Sequence, residues 1–236
     1  MHRRATKEHG AKAGALAAAL LLAACTTLQE AALPIAAALT PSVDAATIIA
    51  GPPSGAIFEA EAQAVRGPWS EARIAQARAD DRFDAFTAFA PVLGERFTEA
   101  NYPLTGAALD RVLAPLGAAI GVAKARYERE RPFEVDPHVT TCIEATDRIR
   151  ASGSYPSGHA AFGWAWGLVL AELAPAHADA ILARAREYGD SRVVCGLHYP
   201  SDIEAGRTIA AAALARLHAG SEFRAAMDAA RVEFQR

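Results

Sequence analysis

Residues 154–173 read SYPSGHAAFGWAWGLVLAEL. The turn Tyr155-Pro156-Ser157-Gly158-His159 leads into a run from Ala160 to Leu173 in which Glu172 is the one charged residue. The run is too long for a strand and lacks β-branched alternation, so it predicts a buried helix whose first turn is formed by Ser157 to His159. Composition leans the same way, with abundant alanine and few aromatics. The expected fold class is all-α, a single-domain helical bundle.

Working outward, residues 56–89 read as helices, with Ser70 capping 71–79 and Asp81 capping the next. Thr105 is placed to cap a run whose apolar positions Leu109, Val112, Leu116, Ile120 and Tyr127 recur at helical spacing. Pro115 should kink or divide that helix, and Pro132 should stop it with Arg131 extended. A polar loop over 136–154 precedes the quoted stretch, and further helices are expected over 175–188, 202–217 and 221–234. Trp164 and Trp166 read as core packing.

The N-terminus has a different character. Arg3, Arg4, Lys7 and Lys12 precede an apolar segment over 13–24 that is too short to span a bilayer, so 1–24 reads as a signal peptide. Leu22-Ala23-Ala24-Cys25 resembles a bacterial lipobox, which makes Cys25 the lipidated residue; the alternative is an ordinary signal peptide cut nearby. Residues 25–55, with Pro34, Pro41, Gly51, Pro52 and Pro53, read as a tether without a core, and 56–236 as the globular domain. The expected location is the periplasm, anchored to a membrane by lipid. With Cys25 lipidated, Cys142 and Cys195 remain as a bridge worth about 3 to 4 kcal/mol or as two buried free thiols. Without residues 1–24 the chain carries 20 basic and 26 acidic residues, a net charge of −6. That excludes a general nucleic-acid-binding surface and requires any anion site to be a local cluster.

Three segments carry chemistry. Lys124, followed after six residues by Arg131-Pro132, offers a point charge and a planar fork for phosphate oxygens; taken alone it reads as a solvated helix end. Ser157-Gly158-His159 opens a helix, where free amides and the dipole favour an anion and His159 could act as a general acid; the simpler reading is a capping serine beside a surface histidine. In Ser191-Arg192, five residues, His198, three residues, Asp202, the carboxylate can hold His198 in the tautomer of a nucleophile, or the two form a structural pair.

In order and spacing these segments resemble the pattern of the type 2 phosphatidic acid phosphatase superfamily. Residues 153–159 are similar to the signature of its class A bacterial non-specific acid phosphatases, with similarity from about Phe58 onward. The resemblance implies an active site among the core helices. His198 would be the nucleophile, Asp202 its orienting carboxylate and His159 the acid, with Lys124, Arg131, Ser157, Gly158 and Arg192 binding phosphate. It also implies the Cys142–Cys195 bridge, no metal, no cofactor and a bell-shaped pH profile. The expected function is an exported acid phosphatase that hydrolyses soluble phosphomonoesters through a phosphohistidine, with room for a homo-oligomer. Two alternatives stand beside it: a vanadate-dependent haloperoxidase and a non-catalytic phosphate-binding envelope lipoprotein. A lipid-phosphate hydrolase is disfavoured, since the export segment reads as the one strong hydrophobic run. Tyr199-Pro200 after His198 and Glu134 behind Arg131-Pro132 depart from the class A pattern and bear on substrate preference. His2, His9, His138, His177 and His218 lack paired ligand spacing, and Asp136 and Asp147 read as loop formers.

Overall fold

The computed structural model describes residues 43–235, and no strand occurs among them. In chain order the α-helices are α1 (Ala45–Ile48), α2 (Gly55–Arg66), α3 (Glu71–Ala79), α4 (Ala85–Leu93), α5 (Pro103–Asp110), α6 (Leu113–Tyr127), α7 (Pro132–Val135), α8 (Asp147–Arg150), α9 (Gly158–Leu173), α10 (Ala178–Val194), α11 (Pro200–Ala219) and α12 (Ser221–Arg231). Short 3-10 turns lie at Pro175–His177 and Val232–Phe234. The all-α expectation holds. The expected signal peptide of 1–24 and the expected lipidation site Cys25 lie outside the described residues.

Helix α9 is the hub, packing most extensively against α10 and α11. Small residues permit the close approach: a Cβ at Gly163 would overlap the Tyr188 ring, and one at Gly167 the Ala185 methyl. On the other side Gly206 of α11 lies against the Ser157 carbonyl. There the Ser157 amide donates to the Asp202 carbonyl oxygen at 2.9 Å, which ties the start of α9 to the start of α11. Because the atom that meets Gly206 is backbone, it cannot swing aside. Gly206→Ala should cost about 2 kcal/mol and lower Tm by about 5 °C; a melt that superimposes on the wild type would contradict this packing account.

Several local expectations need correction. The described part of the expected tether is not coreless: Ala45 is fully buried, Ile49 nearly so, and Tyr155 donates its hydroxyl to the Ala50 carbonyl. Two apolar residues suffice to seat α1 on α6 and α11 despite the prolines around it. Ser70 caps α3 as predicted, but Asp84 rather than Asp81 caps α4. Thr105 lies inside α5, whose first position is Pro103. The free amides of that helix are met by Glu233, 128 residues from Thr105, which accepts from the Leu104 and Thr105 amides and the Thr105 hydroxyl at 2.7–3.0 Å. The helix expected over 175–188 runs on to Val194, so Ser191 and Arg192 sit in its last turn.

The expected division of the Leu109–Tyr127 run falls at Arg111-Val112, with Pro115 in the first turn of α6, where proline removes no helical bond. The apolar segment over 13–24 is not the one strong hydrophobic run: 103–135 also reaches a mean hydropathy of 1.4 over a membrane-length window. Part of that apolar character is core-directed, with Leu116, Ala119, Ile120 and Ala123 of α6 buried. Trp166 is 3% exposed within the core and Trp164 packs against it.

Candidate active site

Three helix ends meet at one cavity of about 760 Å³. The last turn of α6 brings Lys124, the start of α9 brings Gly158 and His159, and the last turn of α10 brings Arg192. Arg131, extended before Pro132, and His198, just before α11, also line it. Glu128 closes α6 in the left-handed conformation at φ +44°, turning the chain inward so that Arg129 and Arg131 leave the solvent. The simpler reading of this segment, a solvated helix end, is thereby excluded, since Arg131 is 5% exposed.

Of the eight residues expected to act on phosphate, six line the cavity and two stand directly behind it. Ser157 is fully buried, and its Oγ accepts from the Ala160 amide at 3.3 Å, so it caps α9. The amides of Gly158 and His159 belong to that helix's first turn, which has no preceding carbonyls of its own. Asp202, also fully buried, stands behind His198.

The His198 tautomer follows from its partners. Nε2 lies 3.2 Å from Nη1 of Arg131, and a guanidinium only donates, so Nε2 accepts and the ring proton sits on Nδ1. Nδ1 is 3.2 Å from Asp202 Oδ2. That same oxygen accepts from the Tyr199 amide at 2.8 Å and from the Ser154 hydroxyl. Arg131 is itself held by the carbonyls of Ile149, Ser152 and Leu197 at 2.8–2.9 Å. At His159 the Asp80 carbonyl, 2.7 Å from Nε2, can only accept, so Nε2 bears a proton and Nδ1 is the nitrogen left for a ligand. The ring stacks on Tyr188 at 4.4 Å between centroids.

Burial sets the protonation, and neighbouring charges add to it or oppose it. Burial, then the nearby Arg131, lowers Lys124 to about 7. Arg131 falls to about 10 through burial despite Asp202. Burial pushes His198 down to about 3 against the pull of Asp202, and burial with Arg192 holds His159 well below the usual imidazole range. Burial of Asp202 opposes its charge, yet the bonds from His198, Arg129 and Ser154 keep it below the ordinary carboxylate value. A dianion among these groups would reverse the balance, raising both imidazoles and the ammonium. Nε of Arg192 has no protein partner, and its Nη1 meets Asp81 at 2.9 Å.

Several contributors had no sequence signal. Arg129 has a side chain 7% exposed and donates to Asp202 Oδ1 at 2.6 Å and Glu61 at 3.0 Å, with Tyr199 stacked 4.0 Å from its guanidinium carbon. Asp80 and Tyr188 come from parts of the chain distant from His159, while Ser154, within the 153–159 signature, reaches across to Asp202. Glu134 accepts from the Arg131 amide at 3.3 Å, and Tyr199 packs on Phe58, so both departures from the class A pattern support the scaffold. Cys142 and Cys195 are bridged. The bridge ties the wall formed by Ile143, Glu144, Thr146, Arg148 and Ile149 to the end of α10, three residues before His198.

Residues 107–224 match the model of the PAP2 superfamily. The chain is 40% identical over 148 residues to a non-specific acid phosphatase of Providencia stuartii, covering 62% of this chain and 60% of that protein. It is 40% identical over 149 residues to an acid phosphatase of Zymomonas mobilis, covering 63% and 56%. Against a non-specific acid phosphatase of Salmonella typhimurium it is 39% identical over 146 residues, covering 61% and 58%. The match therefore spans less than two thirds of the length of these relatives.

Proposed function

Because the chain belongs to the PAP2 superfamily, we propose that it is an exported, metal-independent acid phosphatase that hydrolyses soluble phosphomonoesters through a phosphohistidine. The observation that carries this reading is the convergence of Lys124, Arg131, Arg192, Gly158, His159 and His198 on one cavity, with the nucleophile's proton directed toward Asp202. The acid phosphatase relatives supply the substrate class.

The three cations and the α9 amides hold the phosphoryl oxygens and stabilise the charge that spreads over them in the transition state. The Nε2 lone pair of His198, released from Arg131 as that guanidinium turns to phosphate, attacks phosphorus. The P–O ester bond breaks, and the leaving oxygen takes its proton from His159. Water, deprotonated by the now neutral His159, then attacks the phosphohistidine and restores His198. Asp202 balances the charge that His198 gains. Rapid acid-free quenching with a radiolabelled ester should trap an alkali-stable, acid-labile phosphoryl group on the protein, and turnover should persist in chelator. Turnover without a trapped adduct, or loss of all activity on chelation, would defeat this mechanism.

The Lys124 shift gives a pH dependence. As pH rises through about 7 the ammonium of the free enzyme loses its proton, the cradle loses one positive charge, and phosphate binding weakens. Phosphate gains charge over the same range, so the comparison is with Lys124→Arg, which stays protonated. Between pH 6 and 9 the inhibition constant of inorganic phosphate should rise about tenfold more for wild type than for Lys124→Arg. Parallel profiles would remove Lys124 from the cradle.

The lipobox-like Leu22-Ala23-Ala24-Cys25 supports processing as a periplasmic lipoprotein. Labelled palmitate should enter the wild type and not Cys25→Ser; equal labelling would end that reading.

A further inference from the structure

Phe83 stands 50% exposed at the same cavity, on the side of His159. Its ring lies perpendicular to Phe162 at 5.1 Å, 4.8 Å from Trp166 and 6.2 Å from the His159 imidazole. A single exposed phenyl means nothing by itself. This one, however, is held still. The carbonyl of Arg82 accepts the Tyr188 hydroxyl at 3.0 Å and the Asp84 amide at 3.1 Å. Asp84 caps α4, and the Asp80 carboxylate is bound by Arg184 and Ser191. Backbone on both sides of Phe83 is thus anchored while half of its ring surface stays in water.

On the proposed mechanism, from which this inference proceeds, His159 marks the leaving-group side, because it protonates the departing oxygen. The Phe83 ring stands 6.2 Å from that imidazole, a gap of the order that one sugar bridges between a phosphate and its base. We propose that Phe83 is a specificity-determining residue, a stacking platform that selects phosphomonoesters whose leaving group ends in a flat aromatic ring, as a nucleobase does across a ribose. Stacking on a preset ring costs little entropy, and every base offers a π-face to it.

Adenosine 5′-monophosphate and ribose 5-phosphate share the same scissile bond and differ in the ring, so their ratio of kcat/KM isolates the platform from leaving-group chemistry. Phe83→Ala should lower that ratio about tenfold, mainly through KM for the nucleotide, and Phe83→Trp should preserve it. The same pair is titrated calorimetrically against His198→Ala with and without Phe83→Ala, where no turnover is needed. A protein that binds both ligands but hydrolyses neither would sink the phosphatase reading and leave the platform standing if the nucleotide's advantage depends on Phe83. An unchanged ratio and unchanged relative affinity in Phe83→Ala would overturn the platform. So would an equal loss on both ligands, which marks a structural role.

Discussion

Replacement of His198 by alanine should abolish turnover, by on the order of 10⁴-fold or more, while inorganic phosphate continues to bind. The size of the effect follows from covalent catalysis: without Nε2 no phosphoenzyme forms, and the remaining donors stabilise only whatever slow attack water makes. Binding survives because Lys124, Arg131, Arg192 and the α9 amides remain around the cavity. Folding should survive too. Removing the imidazole leaves Asp202 with Arg129, the Tyr199 amide and the Ser154 hydroxyl, so no buried carboxylate is orphaned. Steady-state rates, a phosphate titration and a melt on the same preparation check all three. Near-full activity would remove His198 from the reaction, and lost phosphate binding in a folded protein would mean that the cradle depends on it.

Arg129→Met should damage both stability and rate. The guanidinium bridges two buried carboxylates, Asp202 and Glu61, whose side chains are 0% and 10% exposed. Methionine fills similar space but leaves two neighbouring anions without their cation. Breaking a buried pair in this way costs about 3–5 kcal/mol, which for a domain of this size corresponds to a fall in Tm of about 10 °C. Asp202 would then hold a proton more readily, and the tautomer of His198 would lose its anchor. The acid limb of the kcat profile should therefore move to higher pH, a change that a merely packing residue would not produce. Arg129→Lys, which keeps the charge but not the fork, should recover part of both losses. An Arg129→Met protein that melts with the wild type and keeps its pH profile would show that the bridge is dispensable.

The residues differ in how far the chain announces them. The apolar run after His159 could be read as a buried helix because its length, its lack of β-branched alternation and the turn that opens it are local properties. Local rules failed where a distant partner offered a better bond. Thr105 looked like a cap until Glu233 supplied the carboxylate. Asp81 looked like one until Arg192 drew it into the cavity and Asp84 took the cap. Ala45 and Ile49 lay among prolines that suggest a tether, and only the grooves of α6 and α11 make their burial favourable.

By itself the sequence determined that this protein is helical, and it set the identity and spacing of the groups that could hold and attack a phosphate, since both are properties of short segments. Tertiary structure decided which nitrogen of each histidine carries the proton, because Arg131 and Asp80 lie 67 and 79 residues from their imidazoles. It likewise decided that Arg129 turns inward, that three cations are buried around one cavity, where desolvation lowers their affinity for protons, and that Phe83 overlooks it. Electrostatic coupling depends on separation in space, and contacts across so many residues leave no period or local pattern in the chain.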